Sequence, residues 1–218
     1  KVFPSTATIG DNGHLILGGC DVANLVAEYG TPLYIYDEET LRGICREFQE
    51  EFRSRYPDTR VIYASKAFSN VALIRLLHEE GLGLDVASGG ELAVGLAGGV
   101  PPTEVYLHGN NKPPHELREA VVAGIGRVVV DNLYELHLLE EIAREAGHVQ
   151  GILLRVSPGV DPHTHAYIST GILDSKFGFP LETGQAEEAV RQGLASQHLR
   201  LMGLHCHIGS QLFETEPY

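Results

Sequence analysis

The run Val61-Ile62-Tyr63-Ala64-Ser65-Lys66-Ala67-Phe68-Ser69-Asn70 decides how this chain is read. Its first four residues are apolar and open on two β-branched side chains, which predicts a buried strand. The strand ends on a lysine, followed by small polar residues and a helix starting near Val71. An amine at the end of a buried strand is costly unless it is neutralised, paired or used covalently. Lys66 therefore reads either as a group leaving the core for solvent or as a lysine held at the mouth of a pocket for Schiff-base chemistry.

Working outward, strand candidates begin near Val61, Leu82, Glu104, Arg127 and Gly151, about 21 to 24 residues apart, room for one strand and one helix each. The helices between them carry their own signals. Asn70 can cap the run through Leu73, Ile74 and Leu77, which Gly81 ends. Ser88 with Glu91 has the spacing of a capping box. Pro113-Pro114 sits where a first turn belongs, and Asn132 with Glu135 opens a helix that Gly147 closes. A helix near Ala186 to Leu194 and a last apolar strand, Leu201 to Ile208, follow.

Strict alternation of strand and helix predicts parallel strands with right-handed crossovers. An open doubly wound sheet wants a glycine-rich phosphate turn after its first strand, and Ser65-Lys66-Ala67-Phe68 is not one. The even spacing predicts an α/β fold of the (β/α)8 TIM-like barrel type, incomplete here, with about six of eight strands within residues 34–218.

Upstream, Asn12-Gly13 predicts a hairpin turn within Thr8 to Leu17. Asp21 can cap a short helix that Gly30 ends, and Leu33 to Tyr36 reads as a strand. Leu41, Ile44, Cys45, Phe48, Phe52 and Tyr56 then form one face of an amphipathic helix. Residues 1–33 are expected to begin a second, β-rich domain.

Composition narrows the class. The chain has 218 residues, 43% of them hydrophobic and 21% charged, as ordinary globular proteins do. A net charge of -13 argues against nucleic acid and anionic membrane surfaces as partners. No apolar run reaches membrane-span length, and no basic-then-apolar leader opens the chain. The three scattered cysteines, with no CxxC pair, suit a reducing cytoplasm. The first residue is Lys1, and the last, Tyr218, comes soon after a dense polar motif, so the sequence is expected to be a fragment of a longer protein.

The strand ends gather the chemistry. In order they deliver Lys66; Asp85; His108-Gly109-Asn110-Asn111-Lys112; Asp131; Arg155; and His205-Cys206-His207-Ile208-Gly209-Ser210. In a barrel that end is the carboxyl face, where active sites are built. The pairs His163/His165 and His205/His207 have metal-ligand spacing, but no HExxH or carboxylate-rich set supports them, and no metal is expected. Pyridoxal phosphate accounts for more of the constellation. Lys66 supplies the Schiff-base amine and His207 a flat group against the ring. Arg155 and Asp85 are placed to tune the ring oxygen and the lysine, and Gly209-Ser210 offers a small turn with a hydroxyl for phosphate.

On these motifs the chain resembles the alanine-racemase-like (fold type III) pyridoxal phosphate decarboxylases. The matching runs are Tyr63 to Ala67, Leu84 to Glu91, His108 to Lys112 and His205 to Gln211. The block Ser157 to Gly171, followed by Ser175-Lys176-Phe177-Gly178, points to the branch acting on meso-diaminopimelate. The resemblance covers nearly the whole chain. It implies a cofactor-bearing barrel plus a β-domain drawn from both chain ends, Lys66 as the catalytic Schiff-base lysine, His207 stacked on the ring and Ser210 toward the phosphate. Asp85, Arg155, His108 and Asn110 would line the pocket. The implied reaction is loss of CO2 from the D-configured centre of meso-diaminopimelate, giving L-lysine, in a cytoplasmic homodimer with its site at the interface. The family's glycine-rich phosphate loops, the acid facing the pyridine nitrogen, the substrate-carboxylate arginines and the partner's cysteine and tyrosine would lie beyond Tyr218, so the fragment alone is expected to be poorly stable and inactive. Three readings compete: a decarboxylase of arginine, ornithine or a polyamine precursor, a pyridoxal phosphate-binding barrel without turnover, and a metal-dependent barrel hydrolase.

Overall fold

The computed structural model describes residues 2–159 and 177–209. Two compact units make up the chain: Lys1–Tyr63 with Arg75–Leu82, and Ala64–Ile74 with Gly83–Tyr218.

In the first unit β1 (Thr8–Ile9), β2 (Leu15–Leu17) and β3 (Cys20–Asp21) form an antiparallel meander. Its first turn is the one Asn12-Gly13 predicts: Thr8 lies opposite Ile16, and the Gly13 N–H donates to the Gly10 carbonyl at 2.9 Å. Asp21 caps α1 (Val22–Tyr29) by accepting from the N–H groups of Ala23 and Asn24, and Gly30 ends the helix. Leu33–Tyr36, expected as a strand, has alternating exposure but belongs to no ladder among the described residues. Period-two patterning sets an extended backbone, whereas a strand also needs a neighbour's N–H and C=O groups.

Asp37 opens α2 (Glu38–Arg53), accepting the Thr40 N–H at 2.8 Å and the Thr6 hydroxyl at 2.7 Å. On this helix Cys45 and Gln49 are buried, whereas Ile44, Phe48 and Phe52 are 46%, 53% and 54% exposed, so the predicted apolar stripe is covered only in part. Polar contacts hold the helix instead. Arg46 and Arg42 both donate to the Glu80 carboxylate, at 2.7–2.9 Å, and the Gln49 amide donates to the Glu80 carbonyl at 2.6 Å.

The second unit carries the long sheet. β4 (Ile62–Ala64) leads into it, with Ala64 the first residue of this unit. Then come α3 (Val71–Glu79), whose residues from Arg75 on belong to the first unit, β5 (Gly83–Val86), α4 (Gly89–Ala97), β6 (Val105–Leu107), α5 (Pro114–Ala123), β7 (Arg127–Val130) and α6 (Leu133–Glu145). After them follow β8 (Gln150–Ser157), β9 (Phe179–Pro180), α7 (Gln185–Ala195) and β10 (Leu199–Cys206). The strand order is β4-β5-β6-β7-β8-β10, with the two-residue β9 paired to β8 beside that path. Apart from the short β9, the strands sit side by side in chain order. A doubly wound sheet reverses its order at a switch point, and a barrel wall does not, so the order is that of a barrel. The six strands expected for the barrel between Val61 and Ile208 are all present; β9 is too short to leave a periodic signal.

Local chemistry starts the helices where expected. Side-chain oxygens of Asn70, Ser88 and Asn132 accept from the N–H groups of Leu73, Glu91 and Glu135 at 2.8, 3.2 and 2.9 Å. One face of the sheet presents Leu84, Val86, Val105, Leu107, Val128, Val130, Ile152 and Leu154, all at most 2% exposed, and Leu117, Ala120, Leu136 and Leu139 of α5 and α6 are buried to the same degree. Each such large side chain contributes about 1.5–3 kcal/mol by leaving water. The opposite face carries polar groups: parallel register sets Asp85 beside Tyr106 and Arg155 beside His205.

The arginine clamp on Glu80 predicts an acid-sensitive stability. Hydrogen bonds from Arg46 and then Arg42 hold the Glu80 carboxyl down at about 2, against an ordinary 4.5. Between those values the unfolded chain binds the extra proton, so this contribution is fully present above pH 4.5 and is lost as the pH falls toward 2. Glu80→Gln should flatten that limb of acid unfolding followed by circular dichroism; an unchanged limb would show that the cluster carries no linked stability.

Candidate active site

Lys66 stands in a single turn of 3-10 helix, Ser65–Ala67, at the carboxyl end of β4. The turn is pinned from below. Ser65 is 1% exposed and its hydroxyl donates to the Glu91 carboxylate. The same carboxylate oxygen accepts the Ala87 N–H at 2.9 Å. Glu91 thus bridges the lysine turn and the end of β5. Its spacing from Ser88 predicted a capping box; Ser88 does cap the Glu91 N–H, but the Glu91 carboxylate crosses to Ser65 and Ala87 instead of returning. From the sequence alone Glu91 therefore reads as a cap and not as part of the site. The available signal was an acid one turn beyond a polar strand end.

Lys66, Asp85, His108, Asn110, Arg155 and His207 line one cavity of about 200 Å³, together with Glu91 and Phe177. Six of the seven expected site residues therefore converge. Ser210 lies outside the described residues, as does most of the diagnostic block, residues 160–176. Asp85 Oδ2 meets His108 Nδ1 at 3.3 Å, and the His108 ring packs edge-on against His205, centroids 4.5 Å apart at 73°. Arg155 donates to the Asp131 carboxylate at 3.3 Å, and its guanidinium lies over the Phe177 ring, 4.4 Å from the centroid. Gly178 makes this fit possible: a Cβ there would come within 2.7 Å of the Arg155 carbonyl.

Burial chiefly, then the positive charges of Lys66 and Arg155, lowers the His207 pKa. Burial, with His108 and Arg155, holds His205 at about 4. Both imidazoles are therefore neutral at pH 7, flat and uncharged. Three buried polar atoms on this face, Asp85 Oδ1, His108 Nε2 and His205 Nδ1, have no hydrogen-bond partner among the described residues. Buried polar atoms are normally satisfied, and exceptions mark places where a ligand or water belongs. No group of three or more His, Cys, Asp or Glu side chains suited to a metal ion occurs among the described residues. A cavity with an amine at its rim, a neutral flat imidazole and unfilled polar atoms fits a planar polar ligand attached through the amine.

The pyridoxal binding domain of the pyridoxal-dependent decarboxylases matches residues 41–218, and the chain belongs to that family. Pyridoxal phosphate is accordingly its cofactor. The chain is 52% identical over 213 residues to diaminopimelate decarboxylase of Bacillus subtilis, covering 98% of this chain and 48% of that protein. It is similar to the crystal structure of diaminopimelate decarboxylase from M. jannaschii in complex with L-lysine, with a TM-score of 0.86 and 37% identity over 95% of this chain and 49% of that one. A lysine/ornithine decarboxylase from Vibrio vulnificus complexed with putrescine is more distant, with a TM-score of 0.66 and 25% identity over 87% of this chain and 45% of that one. The chain spans about half the length of the curated relatives it matches.

Glu91→Ala should strand the buried Ser65 hydroxyl and loosen the turn that aims Lys66. The expected loss is about 1–3 kcal/mol in urea unfolding, with weaker uptake of pyridoxal phosphate. Full stability and full uptake would show that the bridge does not hold the turn.

Proposed function

We propose that the chain is the cofactor-bearing half of an enzyme that decarboxylates meso-2,6-diaminopimelate to L-lysine and CO2, the last step of lysine biosynthesis. The observation that carries this reading is the opening of Lys66 onto the same cavity as His207, Asp85, His108 and Arg155. The substrate rests on similarity to proteins named diaminopimelate decarboxylase, one of them complexed with L-lysine. Pyridoxal phosphate, when bound, accepts the electron pair left at the substrate carbon as CO2 departs.

The chain's own residues then have definite tasks. The Lys66 amine is the attachment point, and Ser65 and Glu91 aim it. His207 presents an uncharged ring face, which burial and the neighbouring cations keep unprotonated. A protonated imidazole there would repel the Lys66 ammonium. Asp85, oriented by His108, places one free carboxylate oxygen in the site. Arg155 is fixed between Asp131 and Phe177, so it offers a positive charge of set position. Asn110 adds a polar group from the loop after β6, and Ser210 is assigned to the phosphate from its place in the sequence motif. A homodimer with the site at its interface and a cytoplasmic location belong to the same reading. They rest on the family resemblance, the net charge of -13 and the three free cysteines.

The test is CO2 release by the full-length protein with pyridoxal phosphate, across meso-diaminopimelate, ornithine, arginine and lysine. Release from diaminopimelate alone is expected, with Lys66→Ala abolishing both release and borohydride trapping of the cofactor. The 218-residue chain by itself is expected to release none. Release from another amino acid would overturn the substrate, and trapping at Lys66 without release from any would favour a non-catalytic cofactor-binding protein.

A further inference from the structure

The loop after β6 carries two pocket groups, His108 and Asn110, and its next cation turns inward, away from the cavity. The Lys112 side chain is 1% exposed and that of its partner Glu135 is 5% exposed. The ammonium donates to three acceptors: the Gly109 carbonyl at 2.5 Å, the Val129 carbonyl of β7 at 2.8 Å and Glu135 Oε1 in the first turn of α6 at 2.7 Å. An ammonium has three donors, so Lys112 is saturated. Gly109 stands at φ 117°, a backbone that glycine favours, and its carbonyl lies between His108 and Asn110 in the chain. At the other end Val129 lies two residues before Asp131, and Asn132, which caps the Glu135 N–H, directly follows it; the Asp131 carboxylate holds Arg155 at 3.3 Å. One buried ion pair therefore ties the loop on one side of the cavity to the arginine on the other. Neither Lys112 nor Glu135 lines the cavity itself. A buried ion pair is weak evidence for stability, because desolvation offsets its attraction.

We propose that Lys112 and Glu135 are positioning residues: their ion pair sets the separation between the His108–Asn110 loop and Arg155, and so shapes the pocket for a phosphate-bearing pyridine aldehyde. This rests on the cofactor reading given above.

The test uses the full-length protein and pyridoxal phosphate itself. Affinity is read from absorbance titration of the cofactor-free protein, KM and kcat with diaminopimelate, and stability from urea unfolding. Lys112→Met leaves a buried carboxylate unpaired; the double variant Lys112→Met, Glu135→Leu removes both charges, and apolar replacement of a buried pair is often neutral or stabilising. The double variant is expected to unfold like the wild type yet bind pyridoxal phosphate on the order of tenfold more weakly, with a shifted cofactor absorbance. Leu139→Ala, in the core of α6, is expected to lower stability and leave cofactor affinity unchanged. A double variant with wild-type affinity and absorbance overturns the proposal. So does a loss of affinity that only tracks stability, seen equally in Leu139→Ala, and so does failure of both Lys112 variants to fold, which would make the pair purely structural. A wild-type protein that takes up no pyridoxal phosphate overturns the cofactor reading beneath it as well.

Discussion

Parallel pairing is the constraint on which the rest of the second unit depends. A strand that runs parallel to its predecessor must be entered from the same side, so the chain returns each time through a helix over the sheet's face. All carboxyl ends then emerge together. That is why Lys66, Asp85, His108, Arg155 and His207, from five strand ends spread between positions 66 and 207, can share one cavity. Register decides which side chains take part. β10 pairs with β8 through an irregularity between Leu201 and Gly203, and only beyond it does His205 stand beside Arg155. A one-residue slip sends a strand's side chains to the opposite face, so this bulge keeps His205 against His108.

Much of this was legible in the sequence, and the reasons are local. Asn70, Ser88 and Asn132 signal helix starts through a short-range hydrogen bond to a backbone N–H three residues on, which spacing alone reveals. Asp85, Arg155 and His207 were visible because ionisable groups within or just after apolar strands stand out. What stayed hidden is tertiary. Leu33–Tyr36 has a strand's pattern without a strand's neighbour. Glu91 reaches Ser65 across 26 positions, and Lys112 reaches Glu135 across 23, distances at which no periodicity helps. Glu91 and Glu135 also sit at the third position of their helices, where an acid is already explained by capping.

The electrostatics of the cavity run against those of the chain. The net charge is -13, yet the cavity is lined by the basic groups Lys66 and Arg155 and by His207, which burial keeps neutral. Such a cavity offers local positive charge to an anionic ligand, and to a flat ring an imidazole with no charge to desolvate. Each unfilled polar atom, on Asp85, His108 and His205, costs about 1–3 kcal/mol when nothing answers it. A fold optimised only for stability would not gather three of them on one face; a binding site would, since the ligand removes the penalty on arrival. Their positions have to be held while unfilled, and the atoms beneath them are of the opposite kind. Lys112 is saturated by three acceptors, Glu135 is bound to Lys112, and Arg155 is clamped by Asp131 and Phe177. An incompletely satisfied layer that faces the ligand rests on a satisfied one that does not, which is how a rigid pocket keeps free hydrogen-bonding capacity without collapsing to use it.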